Sequence, residues 1–297
     1  MRATYCKLER LSAESAGCKS DRCIKRIVEF VAIAISFIQL IRFICRIDKS
    51  RYLNQRKLLD LQTVVISLLR SPQRREKAGS ELSRTSLNWS FLDAVDGSRL
   101  QSFPPEYKPH KVKRLLGFDM TQNEIGCFLS HKKAWQACVL KNEPTLIFED
   151  DFILLPHFEK TLQLLLTEFH DWQLIRLQSL AKSDHHIVKD LGEISIVKNL
   201  SDPIGATAYI VKPEAARILI EHAKDIYEPL DHFLEHKSKH GVEMLAVDPY
   251  PVDISRAQST IADRPNDRKP IKGLRKKVRS LNRVLDRTFS REPWFPK

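Results

Sequence analysis

Little in this sequence points to a metal cluster, a disulfide scaffold or a membrane span. Of the 6 cysteines, Cys6, Cys18, Cys23 and Cys45 fall near the start, and only Cys127 and Cys138 follow, both inside a helical pattern. There is no CxxC pair and no His at ligand spacing, so neither a zinc site nor a disulfide framework is expected, and the thiols read as free in a reducing compartment. No continuous apolar run reaches the ~20 residues that cross a bilayer. The stretch from Ile24 to Cys45 is apolar only from Phe30 to Ile41, and Glu29 and Arg42 bound that core. No small-residue cleavage site follows it, which fits a signal peptide poorly. It reads either as a membrane-associated helix or as an N-terminal extension outside the catalytic fold. Internal repeats and low-complexity tracts are also missing, which excludes solenoids and collagen-like chains.

What is present describes a folded chain. A hydrophobic content of 42% and a charged content of 29% over 297 residues suffice for a substantial core. The formal net charge is +12. About three quarters of that excess lies from Arg264 to Lys297, where only Asp267, Asp286 and Glu292 oppose the basic residues. In the same tail Ile271, Leu274, Val278, Leu281, Leu285 and Phe289 recur every three or four residues, a basic amphipathic helix suited to an anionic membrane surface or to packing on the catalytic domain. The expected organisation is an N-terminal extension over 1–60, a catalytic domain over 61–262 and the basic tail over 263–297.

Within the central part, strands and helices alternate. Thr63 to Leu68 is a short apolar run of the kind found in strands buried on both faces, and Ser71-Pro72 suits the start of a helix. A strand is expected over 89–94, ended by the turn pair Asp96-Gly97, and a loop rich in proline, lysine and histidine over 102–114. Thr121 with Glu124 forms a capping box ahead of a helix that runs to Leu140. The run Thr145, Leu146, Ile147, Phe148 reads as a buried strand that ends directly in Glu149, Asp150 and Asp151. A helix over 157–169, strands over 172–177 and 206–211, and a helix from Pro213 to Ala223 complete the pattern. Such alternation predicts an α/β sheet with helices on both faces.

Three carboxylates at the end of a buried strand occupy the position where open α/β sheets bind ligands. Their mutual repulsion calls for a counter-charge, and a divalent cation such as Mg²⁺ or Mn²⁺, with its preference for hard oxygen ligands and substrate phosphates, supplies one. The alternative is that two of the acids are solvated and cap the next helix. Ser130 and His131 lie mid-helix near this strand, with Gly126 and Cys127 allowing close packing. Asp231 reads equally as a general base for an acceptor hydroxyl or as a helix cap.

The order of these pieces resembles glycosyltransferase family 25, the lipopolysaccharide and lipooligosaccharide galactosyltransferase group. The matching residues are Val65-Ile66-Ser67-Leu68 with Arg70, Ser71, Pro72 and Arg74; Asp93-Ala94-Val95-Asp96-Gly97; Glu124 to His131 with Trp135; Phe148-Glu149-Asp150-Asp151; Gly205 to Tyr209; and Asp231. The likeness covers about residues 62 to 260. It implies a GT-A-like nucleotide-sugar-binding sheet, to which the helical N- and C-terminal extensions are added from outside the likeness, and transfer of a hexose, galactose first, from a UDP-sugar to a lipid-linked or oligosaccharide acceptor with inversion. It implies a divalent metal on Glu149 and Asp151, catalytic roles for Asp151 and Asp231, and donor contacts from Ser67, Arg70, Arg74, Asp96, Ser130, His131 and Asp150. The implied location is cytoplasmic, peripheral on the cytoplasmic face of the inner membrane. The chain departs from the family pattern at Ser67 and Leu69, where Asn and Asp are usual. Two other readings stand beside this one. A catalytically inactive family member could act as an assembly partner at a membrane. A nucleic-acid-binding module would use the tail and the 108–114 loop, but aromatic residues are sparse there and no recognised nucleic-acid motif occurs, so no nucleic-acid partner is expected.

Overall fold

A computed structural model describes residues 61–255 of the chain. The apolar N-terminal stretch and the basic amphipathic tail, with the extension boundaries expected at 60 and 263, lie outside the described residues. Of the catalytic domain expected over 61–262, residues 61–255 lie within them.

The chain opens with β1 (Gln62–Ser67), α1 (Pro72–Leu82) and β2 (Trp89–Asp93). After a 3-10 turn at Gly97–Arg99 come α2 (Pro109–Leu116) and the long α3 (Gln122–Lys141). Then follow β3 (Thr145–Glu149), β4 (Phe152–Leu154), α4 (Phe158–Glu168), β5 (Leu174–Arg176), β6 (His185–Asp190) and β7 (Ser195–Asn199). The last elements are β8 (Ala208–Val211), α5 (Pro213–His222), α6 (Leu230–Glu235), α7 (Lys237–His240), β9 (Met244–Asp248) and β10 (Val252–Ile254).

Eight strands form one mixed sheet in the order β2-β1-β3-β8-β5-β9-β7-β6, while β4 and β10 make a separate antiparallel ribbon. β1 pairs in parallel with β2 and β3, β8 runs antiparallel between β3 and β5, and β5 is parallel to β9. The carboxyl ends of β1, β2, β3, β5 and β9 therefore share one edge of the sheet with the start of β8. Side chains alternate between two cores, as strand pleating requires. Val64, Ile66, Ile147, Tyr209 and Val211 pack with α3, α5 and α6 on one face. Val65, Leu146, Phe148, Ala208 and Ile210 pack with α1 and α4 on the other. This is the α/β sheet covered on both faces that the alternation predicts.

The capping box at the start of α3 is present in full, with the Thr121 side chain accepting from the Glu124 N–H and the Glu124 side chain accepting from the Thr121 N–H. One expectation is corrected. The basic stretch over 102–114 is not all loop, because α2 begins with Pro109 in its first turn and ends at Gly117 in the left-handed conformation (φ 79°). Val112, Leu115 and Leu116 recur at helical spacing and are buried, and this apolar stripe outweighs the basic residues around it. The hairpin β6–β7, the short α7 and the strands β4, β9 and β10 had no counterpart in the sequence reading, and α6, hinted at only by the cap reading of Asp231, starts with Pro229 as its cap and Asp231 inside its first turn. They are short, and β6 is an exposed edge strand whose residues carry almost no burial pattern.

Candidate active site

The acids stand where β3 leaves the sheet. Ile66 of β1 pairs with Glu149, and Ser67 pairs with Asp93, so the ends of three neighbouring strands converge. An open cleft of about 710 Å³, counting its solvent-facing mouth, lies beyond them. It is lined by Ser67, Arg70, Arg74, Ser130, His131, Glu149, Asp150 and Asp151, together with Cys127 and the loop after β2. Eight of the residues expected from the sequence thus meet in one cleft. Asp96 stands beside it through Arg70, and Asp231 does not line it.

Close backbone approach builds the wall. A Cβ on Gly126 would sit 2.7 Å from the Val95 carbonyl oxygen, and one on Gly97 would sit 2.2 Å from that of Gln122. The loop after β2 can lie against α3 only because both residues are glycine. Ser130 fastens the same contact, its Oγ donating to the Gly126 carbonyl (2.6 Å) and accepting the Val95 N–H (2.8 Å). Ser130 therefore positions the wall and has its hydroxyl engaged internally. Asp96 caps the 3-10 turn by accepting from the Ser98 N–H, and it pairs with Arg70 at 2.6 Å. The hydrogen bond from Arg70 is the main reason its carboxyl sits down at about 2, with burial opposing.

Each of the three acids has a different environment. Asp150 accepts from Ser67 Oγ at 2.5 Å and from Arg74 Nη2 at 2.6 Å. Burial still raises its pKa, the Ser67 hydrogen bond and the Arg74 charge opposing. Asp151 reaches the same Arg74 nitrogen at 3.0 Å through Oδ2, while its Oδ1 is buried and accepts no hydrogen bond. Burial, followed by the charge of Glu149, pushes Asp151 up to about 7. Glu149 accepts from His131 Nε2 (3.3 Å) and Cys127 Sγ (3.5 Å) at Oε1, and from Thr207 Oγ1 (3.4 Å) at Oε2. Burial works to raise its pKa, yet the His131 and Cys127 hydrogen bonds and the Arg74 charge hold it below the usual carboxylate range. Asp150 and Asp151 share the Arg74 guanidinium while Glu149 rests on His131, Cys127 and Thr207, and it is Asp151 that is left with an unengaged oxygen.

A cation fits this donor set. The unengaged Asp151 Oδ1 and the lightly engaged Glu149 Oε2 are hard oxygen donors of the kind Mg²⁺ and Mn²⁺ take. A second grouping, Cys127, His131 and Glu149, has its potential ligand atoms within 4.8 Å of one another. The sequence reading missed it, although Cys127 and His131 are four residues apart on α3 and so share a helix face. Burial raises the Cys127 thiol well above its ordinary value, so the sulfur stays protonated. The reading gave Thr207 no role beyond its place in the family motif, and it missed Arg75. The Arg75 guanidinium donates to the Ser67 carbonyl (2.9 Å) and Asp93 (2.5 Å), binding the ends of β1 and β2 together.

Asp231 sits in the first turn of α6 and accepts the His232 N–H at 2.9 Å, a local turn bond. α6 is held against α3 by Phe233, whose ring lies 5.1 Å from Phe128 and 5.9 Å from Trp135. The negative charge of Asp231 contributes to the electrostatics of Cys127, Arg176 and Glu235.

Residues 60–234 match the family model described as glycosyltransferase family 25 (LPS biosynthesis protein). The chain is 32% identical over 168 residues to the lipooligosaccharide biosynthesis protein lic2B of Haemophilus influenzae, covering 53% of this chain and 62% of that protein. It is 27% identical to procollagen galactosyltransferase 1 of Danio rerio over 61% of this chain and 32% of that one. It is 32% identical to the human inactive glycosyltransferase 25 family member 3 over 39% of this chain and 21% of that one. The chain thus spans less than two thirds of the length of each of these relatives. Among solved structures, a glycosyltransferase involved in glycosylation of the major capsid of PBCV-1 aligns over 55% of this chain with 13% identity and a TM-score of 0.30.

Proposed function

The chain belongs to glycosyltransferase family 25, and on that premise we propose that it transfers a hexose, galactose first, from a UDP-sugar to a saccharide acceptor in lipopolysaccharide or lipooligosaccharide assembly. The observation that carries the reading is the undercompensated acid corner at the end of β3, where Asp151 keeps a buried, unengaged oxygen. The likeness to lic2B supports the choice of acceptor class.

In this reading Glu149 and Asp151 hold a divalent cation, Mn²⁺ or Mg²⁺. When bound, that ion supplies Lewis-acid neutralisation of the diphosphate. Arg74 and Arg70 add positive charge on the donor side of the cleft, and Asp150 with Ser67 keeps Arg74 aimed at it. Asp231 is the base. The acceptor hydroxyl oxygen attacks the anomeric carbon and the bond from that carbon to the diphosphate oxygen breaks. The hydroxyl proton passes to Asp231, and UDP leaves with the bonding electron pair. One displacement at carbon inverts the anomeric configuration. The GT-A-like fold, the anionic membrane surface as a partner and the cytoplasmic inner-membrane location belong to the same proposal.

Relatives described as inactive leave a second reading, a fold retained for assembly without transfer. The acid corner favours activity. The test is a screen of UDP-sugars with manganese present or chelated, measuring released UDP with and without a lipooligosaccharide acceptor. We expect one preferred donor and loss of turnover on chelation. No turnover with any donor and acceptor would select the inactive reading.

A further inference from the structure

Behind the acid corner, α3 and β8 carry a chain of buried polar groups. Trp135 and His131 are fully buried and Tyr209 is 2% exposed. Trp135 Nε1 lies 2.9 Å from the Tyr209 hydroxyl, which lies 2.8 Å from His131 Nδ1, and His131 Nε2 lies 3.3 Å from Glu149 Oε1. The histidine and tyrosine rings stack with centroids 5.7 Å apart.

The chemistry of the groups gives this chain one direction. An indole N–H only donates, so the Tyr209 oxygen accepts from Trp135. The phenolic hydrogen then needs an acceptor of its own, because a buried donor left without one is costly. Among the described residues, the only further partner of this hydroxyl is His131 Nδ1. Nδ1 is therefore the accepting nitrogen, the neutral ring carries its hydrogen on Nε2, and Nε2–H donates to Glu149.

We propose that Trp135 and Tyr209 are positioning residues that lock His131 as the Nε2–H tautomer, so that it serves Glu149 as a fixed donor and not as a metal ligand. The consequence within the active site is geometric. With His131 and Cys127 held on Oε1, the carboxylate plane of Glu149 is set and Oε2 is the oxygen turned to other partners. The same direction decides the Cys127, His131 and Glu149 grouping. A ring nitrogen that carries a hydrogen has no lone pair to give, so the grouping is a donor shell around Glu149 and not a soft-metal site. The role in catalysis rests on the transferase reading, whereas the tautomer does not.

The test uses the full chain labelled with ¹⁵N-histidine, with the His131 signals identified by their loss in His131→Gln. Long-range ¹H–¹⁵N spectra should show a protonated Nε2 and an unprotonated Nδ1 in the wild type, unmoved by added Zn²⁺. Tyr209→Phe should give mixed tautomers and a kcat about tenfold or more below wild type, with the donor KM within about twofold, as for loss of an outer partner of an active-site ligand. Trp135→Phe, which frees the tyrosine oxygen to accept from Nδ1, should also give mixed tautomers and keeps the test decisive should Tyr209→Phe fail to fold. A wild-type His131 protonated on Nδ1, a Zn²⁺-shifted ring, or a single Nε2–H tautomer retained in both variants would overturn the proposal. If no donor supports turnover, the transferase reading falls while the spectra still decide the tautomer.

Discussion

Two charged sites lie at the same edge of the sheet and are built on opposite terms. At the end of β5, Arg176 is 2% exposed and pairs with Glu235, while its Nη1 donates to the Ile204 carbonyl at 2.6 Å and its Nε points at the Met244 sulfur. Burial pushes Arg176 down and Glu235 up, and each partner's charge opposes the shift of the other. One cation meets one anion, and a backbone carbonyl and the Met244 sulfur take further guanidinium hydrogens. At the end of β3 three carboxylates crowd together, two of them on the single Arg74 guanidinium, and Asp151 keeps an oxygen unengaged. The balanced site is complete within the protein and holds α6 to the sheet. The unbalanced one keeps a buried acid oxygen that no protein group engages, and this difference separates a structural ion pair from a candidate active site.

The contrast yields opposite outcomes for mutation. Asp151→Ala should abolish metal-dependent transfer, a loss of about 10³-fold or more, with the folding transition nearly unchanged, since the variant removes a repelled charge. Donor turnover and urea unfolding on the same preparation check both halves. Full transfer by this variant would remove the metal role.

Glu235→Ala should behave in reverse, leaving Arg176 buried without its counter-ion and costing about 3–5 kcal/mol of stability in urea unfolding. A loss below about 1 kcal/mol would mean that the pair is not the balanced structural site described here.

The smallest effect is in pH dependence. Because the folded pKa of Asp151 is raised to about 7, the unfolded chain ionises this group first as pH rises. Between the ordinary aspartate value, about 4, and 7 the folded state binds the extra proton, so stability falls with rising pH in that window. Asp151→Asn does not titrate. In chelator, the melting temperature of the Asn variant should gain on the wild type as pH rises from 4 to 8, and a constant difference would reject the raised pKa.

Much of this site is legible in the sequence. The run Glu149-Asp150-Asp151 announces itself by standing at the end of an apolar strand, and Gly126 is placed next to Ser130 on a helix whose start is written in Thr121 and Glu124. Ser67, Arg70 and Arg74 follow from β1 by short connection. What escaped is the part that depends on strand order. Thr207 reaches Glu149 only because β8 enters the sheet antiparallel beside β3. The basic stretch ahead of α3 concealed α2, whose three buried apolar residues declare a helix only once there is a core to receive them.

The amino-acid sequence by itself determined where α1, α3 and α5 begin and that three acids would crowd one strand end, because caps, prolines and apolar runs act over a few residues. Only the tertiary structure decided that Arg74 bridges two of those acids, and that Trp135 and Tyr209, 74 residues apart, stand behind His131 and Glu149. Hydrogen-bond direction in a buried chain follows from which groups meet, and that meeting is set by the order in which distant strands pair.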